Sequence, residues 1–149
     1  MTRWLFAFVH LLALGIGLGA VWVRGRALRG TLDRDGLRRV FLADSWWAGA
    51  AFLWISTGLV RLFAGLEKDL DYYLLNHLFW AKMALLILIL VLEVAPMIGL
   101  IRWRKVSRAG GAVDTSAAGR YARVSTVQAV LVVLMVLLAT GMARGSGAR

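Results

Sequence analysis

Cysteine is absent from the 149 residues, proline occurs once (Pro96), and acidic residues number eight against eighteen Lys and Arg. Without cysteine there is no disulfide, no thiolate nucleophile and no Cys-ligated metal. The chain also lacks a His-Glu-x-x-His run, a phosphate-cradling glycine loop and a nucleophile elbow. Charged residues make up only 17%, whereas hydrophobic residues reach 60%. A soluble fold of this length cannot hide so much apolar surface. The net charge of +10 excludes an acidic disordered chain and leaves anionic lipid and nucleic acid as partners to be weighed.

The apolar residues fall into four stretches, 4–23, 45–64, 74–101 and 124–143. Each has the roughly 20 residues needed to cross a hydrocarbon core. They predict an all-α, integral membrane four-helix bundle as a single domain over 1–149, joined by loops at 24–44 and 102–123. A β-barrel would need alternating polarity, and the run from Met83 to Leu92 is apolar on every face. The first stretch is not a cleavable signal, because its positive charge (Arg24, Arg26, Arg29) follows the apolar run.

Orientation follows from the basic residues. The first loop carries Arg24, Arg26, Arg29, Arg34, Arg38 and Arg39, and the third carries Arg102, Arg104, Lys105, Arg108, Arg120 and Arg123. The second holds Lys68 among Glu67, Asp69 and Asp71. The positive-inside rule therefore places both long loops in the cytoplasm and both termini on the non-cytoplasmic side. Most of the positive charge is then explained by topology and contact with anionic headgroups, and no nucleic-acid partner is required. Trp22, Trp46, Trp47, Trp103 and Tyr121 fit an interfacial belt at the cytoplasmic ends; Trp4, Tyr72 and Tyr73 fit one at the outer ends. Residues 31–44 read as an amphipathic piece on the interface, with Asp44 or Ser45 capping the second helix. Gly15 and Gly19 form a small-xxx-small pair suited to close helix contact.

What remains are polar side chains inside the spans, each of which needs a named partner. On the third helix Lys82 and Glu93 share a face about 16 Å apart along the axis, too far for direct pairing. Glu93 is expected to be satisfied by Gln128 or Ser125, or by a carbonyl that Pro96 frees around position 92. The outer half collects His10, Arg61, His77 and Lys82, a basic pocket suited to an anionic ligand. Each also has a simpler reading: Lys82 snorkels outward, Arg61 anchors at the interface against the acidic loop, His10 is a hydrogen-bonded bundle residue, and His77 is interfacial.

Asp44, Gly58-Leu-Val-Arg61, Lys68, Tyr72-Tyr73-x-x-Asn76-x-x-Phe79-x-x-Lys82, Glu93-x-x-Pro96-Met97, Arg102-Trp-Arg104 and Met142-Ala-Arg-Gly145 together resemble the bacterial membrane family catalogued as domain of unknown function 2214. That resemblance implies a small four-helix inner-membrane protein and assigns no activity. His10 with Trp80-x-Lys82 is also similar to copper-resistance D-type and haem-synthesis protoporphyrinogen oxidase bundles, although the oxidases' other motifs are missing. The expectation is a bundle that binds haem or a quinone-like redox molecule through His10, Arg61, Lys82 and Trp80, with His10 as the candidate axial ligand of haem b. Two alternatives stand beside it. One is an accessory or structural subunit packed against itself or other membrane proteins. The other is a small proton-coupled transporter with Glu93 as its intramembrane carboxylate.

Overall fold

A computed structural model of the chain describes residues 2–64 and 70–146. It contains helices α1 (Thr2–Leu28), α2 (Arg34–Phe63), α3 (Leu70–Leu74), α4 (His77–Arg108) and α5 (Ala118–Ala143), and no strand among the described residues. Four of these, all but α3, are long and apolar enough to cross a membrane. The predicted fold class is therefore observed: an all-α bundle of four membrane-spanning helices. The acidic loop residues Glu67, Lys68 and Asp69 lie outside the described residues, whereas Asp71 sits exposed on α3.

The helices overrun the sequence-based boundaries at the basic end of the bundle. The sequence ends the first span at Val23, but α1 continues to Leu28; it starts the second near Ser45, but α2 begins at Arg34. Likewise α4 extends to Arg108 and α5 starts at Ala118. The reason is amphipathicity rather than hydropathy. Arg38, Arg39, Arg102, Arg120 and Arg123 point outward, while Leu28, Leu37, Val40, Leu100, Trp103, Ala118, Tyr121 and Ala122 form a buried cluster between them. The segment 31–44 is thus mostly the first turns of α2, with its apolar face packed into the bundle. Its N-cap is Asp33, whose carboxylate accepts from the Gly36 N–H at 2.8 Å. Neither Asp44 nor Ser45 caps it; Asp44 is buried mid-helix.

In the arrangement of the bundle, α1 packs against α2 and α5, and α4 packs against α5. Along the remaining side, α2 and α4 are joined chiefly by side chains, including Arg104 to the Phe41 carbonyl at 2.9 Å. The main apolar core runs through Ala13, Val21, Trp47, Trp54, Ile89, Val132 and Met135. Gly17, not the Gly15/Gly19 pair, makes the close contact: a Cβ there would lie 3.4 Å from that of Ala50, whereas Gly15 and Gly19 have nothing within 4 Å. A tighter approach occurs at Gly99, where a Cβ would overlap the hydroxyl of Tyr121. Trp47, Trp103 and Tyr121 are consequently core residues and not members of the interfacial belt, which Trp4, Trp22 and Trp46 still fit by their exposure.

At the other end, Asn76 is fully buried and caps α4 by accepting from the Leu78 N–H at 2.9 Å. Its amide donates to the Ser146 carbonyl, and the Tyr72 hydroxyl donates to the Met142 carbonyl at 3.0 Å. These two bonds tie the α3–α4 turn to the end of α5. In the loop between α4 and α5, the Ser116 N–H holds the Asp114 carboxyl below its ordinary range.

Candidate functional site

Two polar assemblies occupy opposite ends of the bundle. The first is centred on Arg24. The spacing of Ala13, Gly17, Val21 and Leu28 carries a buried stripe along α1, and Arg24 falls on it, so its side chain enters the core and not the solvent. Its exposure is 0%. All five guanidinium protons have acceptors. The Nε group donates to Ser125 Oγ at 3.0 Å, Nη1 to Asp44 Oδ1 at 2.8 Å and Glu93 Oε1 at 2.7 Å, and Nη2 to Glu93 Oε2 and Gln128 Oε1, both at 2.8 Å. Saturation of the guanidinium is the condition under which an arginine tolerates this depth.

The acceptors are equally well used. Glu93 takes Arg24 on both oxygens, then the Trp47 indole N–H at 3.0 Å and the Gln128 amide at 2.8 Å. Four donors on two oxygens is the pattern of a carboxylate and not of a carboxylic acid. Asp44 spans two arginines, since its second oxygen accepts from Arg104 Nη2 at 2.8 Å. Arg24, Arg104, Asp44 and Glu93 therefore form a charge-balanced quartet that draws on α1, α2 and α4, and Ser125 and Gln128 add α5.

The sequence names Gln128 and Ser125 as partners for Glu93. Gln128 fills that role directly, whereas Ser125 bonds Arg24 instead. The carbonyl reached by Gln128 is that of Ile89, at 3.1 Å, and not the one near position 92. Arg24 itself is missed from the sequence because Arg26 and Arg29 follow closely and make the whole group look like loop charge. A usable signal was present: Arg24 holds the core register that Leu28 resumes four residues later.

The second assembly is a cavity of about 520 Å³ at the end carrying the chain termini. His10 from α1, Arg61 from α2, Lys82 from α4 and Thr140 from α5 all line it, with Tyr72 and Tyr73 from α3 across its end. His10 and Arg24 are fourteen residues apart on one helix, so the two assemblies stand about 21 Å apart along the axis. Apolar walls come from Trp54, Leu86, Met83, Met135 and Met142 among others. The sequence-predicted trio His10, Arg61 and Lys82 thus meets in one chamber. Trp80 does not join it: its indole is 55% exposed and donates to the Leu74 carbonyl at 3.0 Å. His77 is exposed at the start of α4, and Glu93 belongs to the charge quartet.

The state of the His10 ring follows from its neighbour. Thr57 has one hydroxyl proton, directed at the carbonyls one turn back, Leu53 at 2.7 Å and Trp54 at 3.1 Å. Its oxygen must then accept from His10 Nδ1, 2.9 Å away. In the neutral ring, donation from Nδ1 leaves the lone pair on Nε2. The imidazole is further set by the Trp54 ring, with centroids 5.9 Å apart. On the other side lies Gly58, where a Cβ would sit 3.1 Å from His10 Cε1. The glycine of the Gly58-Leu-Val-Arg61 run therefore makes room for the ring, and its arginine lies in the same cavity wall.

Comparisons with known proteins give one match. Among curated proteins and among solved structures nothing matches, so the similarity to copper-resistance and oxidase bundles rests on His10, Trp80 and Lys82, of which the structure brings only the first and last together. Residues 2–147, nearly the whole chain, match the family described as Predicted membrane protein (DUF2214), and the protein belongs to that family of multi-pass membrane proteins.

Proposed function

We propose that this bundle binds a flat, conjugated redox molecule of the haem or quinone class in the cavity lined by His10, Arg61 and Lys82. One observation carries the reading: an imidazole and two cations from three helices line a single, mostly apolar chamber of about 520 Å³. Cavities of this size and character are the usual form of small-molecule sites. Among the described residues that line it, the charged ones are Arg61 and Lys82, which suits a ligand with anionic or carbonyl oxygens. His10 Nε2 would serve as axial ligand to a haem iron, and the cations would meet propionates; for a quinone, Lys82 and Arg61 would donate to ring carbonyls beside Trp54. The basic loops favour an orientation with this cavity in the outer leaflet, and the family resemblance implies a bacterial inner membrane. Glu93 lies in the quartet, outside the cavity, and takes no part in this reading.

The test is an absorption spectrum of detergent-purified protein, together with extraction and analysis of co-purified quinones. A visible haem band lost in His10→Ala, or a quinone lost in Lys82→Met, is the expected result. Protein free of both after expression with haem and quinone synthesis intact, or a His10→Ala spectrum unchanged from the parent, overturns it.

A further inference from the structure

A second concavity lies at the opposite end of the molecule, on the outer flank of α1 beside α5. It is an open groove of about 560 Å³ lined by Trp22, Arg26, Arg29, Gly30 and Thr126. We infer that this groove is a binding site for the phosphate of an anionic phospholipid. Three features point there. Arg29 is drawn across from α1 to α5, donating to Thr126 Oγ1 at 2.8 Å and to the Ala122 carbonyl, which fixes one cation in the groove. Arg26, one turn above Trp22, is exposed and supplies a second. The indole of Trp22, 52% exposed, provides the amphipathic wall expected at headgroup level.

The surface below the groove suits an acyl chain. Gly15, Gly19 and Trp22 continue the Arg26 face of α1 at helical spacing, and the two glycines leave open space above the helix. On the α5 side, Val130 and Val133 follow Thr126 on one face, each more than half exposed. A shallow apolar trough therefore leads from the paired arginines into the hydrocarbon region. A soluble anion would use only the arginines; a phospholipid uses the arginines, the tryptophan and the trough. The site lies on the outside of the bundle and is independent of the cavity around His10.

The experiment is native mass spectrometry of the full chain in detergent, supplied with equal amounts of phosphatidylglycerol and phosphatidylcholine. With about 1 kcal/mol for each arginine near a headgroup, the two cations give the anionic lipid a preference of about thirtyfold. Arg26→Gln, which removes no contact to α5, should lower that preference about fivefold, and Arg26→Gln/Arg29→Gln should abolish it. Arg102→Gln/Arg108→Gln, which removes two exposed cations from α4 at the same end, should leave it intact. Equal retention of both lipids, an equal loss in the α4 variant, or complete displacement of phosphatidylglycerol by millimolar inorganic phosphate would each overturn the assignment, the first two by showing no specific site and the third by showing a simple anion site.

Discussion

Arg24 and Glu93 are 69 positions apart in the chain and meet as a two-pronged pair, Nη1 to Oε1 at 2.7 Å and Nη2 to Oε2 at 2.8 Å. The pair joins α1 to α4, two helices that the closest packing of the bundle leaves to be linked through α5. A buried pair of this kind is weak support for net stability but is costly to break, because the surviving charge has nowhere to go. Glu93→Leu or Arg24→Leu should each destabilise the protein by about 3–5 kcal/mol. Arg24→Leu/Glu93→Leu removes both charges and leaves Asp44 matched to Arg104, so it should be more stable than either single variant. Thermal unfolding followed by circular dichroism in one detergent checks this; strictly additive losses would disprove the pairing.

Gly99 is a packing position. Substitution with alanine drives a methyl group into Tyr121, which also packs at a tilt against Trp103 with ring centroids 5.6 Å apart. Overpacking of this sort costs about 1–3 kcal/mol. Gly99→Ala should lower the unfolding temperature measurably, whereas Gly19→Ala, with nothing within 4 Å, should not.

The Asn76 cap predicts a graded series. Asn76→Ala loses the bond to the Leu78 N–H and the link to Ser146, and should cost about 1 kcal/mol or somewhat more. Asn76→Asp keeps the cap acceptor and should retain part of that stability in the same unfolding assay.

If the cavity holds its ligand through His10, Thr57 sets the imidazole from behind. Thr57→Val keeps the shape and removes the acceptor for Nδ1–H, and loss of such a supporting partner typically weakens a ligand by about 10–100-fold. Spectral titration of the variant against the parent measures this. Equal affinity would mean that the Thr57 bond has no part in orienting the ring.

Asp114 provides the pH dependence. The Ser116 N–H lowers its folded value below 3.8, so the stabilisation of that turn is present above 3.8 and disappears as pH falls through the lower folded value. Carboxyl-carbon NMR should give a midpoint below 3.8, and Ser116→Pro, which removes the donor, should move it back up toward that value.

Much of this molecule was legible from its residues, and the misreadings share a cause. Hydropathy locates the four spans because lipid-facing helices are apolar all round. It fails at the basic end, where α1, α2, α4 and α5 are half-exposed and only one face of each is apolar. Arg38 and Arg39 hide the pattern that Leu37 and Val40 carry, and Arg26 and Arg29 hide that of Arg24. The cavity trio was foreseeable because His10, Arg61 and Lys82 interrupt apolar runs. Trp80, on the same helix as Lys82, was not separable from it by sequence, since two residues on a helix differ by about 200° and only the bundle decides which side is the inside.

The quartet also bears on how the chain enters a bilayer. Its members are distributed so that each helical hairpin contributes one cation and one anion to it: Arg24 and Asp44 from the first, Glu93 and Arg104 from the second. Arg24 and Asp44 already lie 2.8 Å apart within the first hairpin, so that half can partition with its arginine matched before α4 has been synthesised. When the second hairpin arrives, Glu93 and Arg104 complete the set by reaching across to Arg24 and Asp44. The final docking of the halves thus gives Glu93, eleven residues from Arg104 on the same helix and out of its reach, the arginine it lacks within its own hairpin.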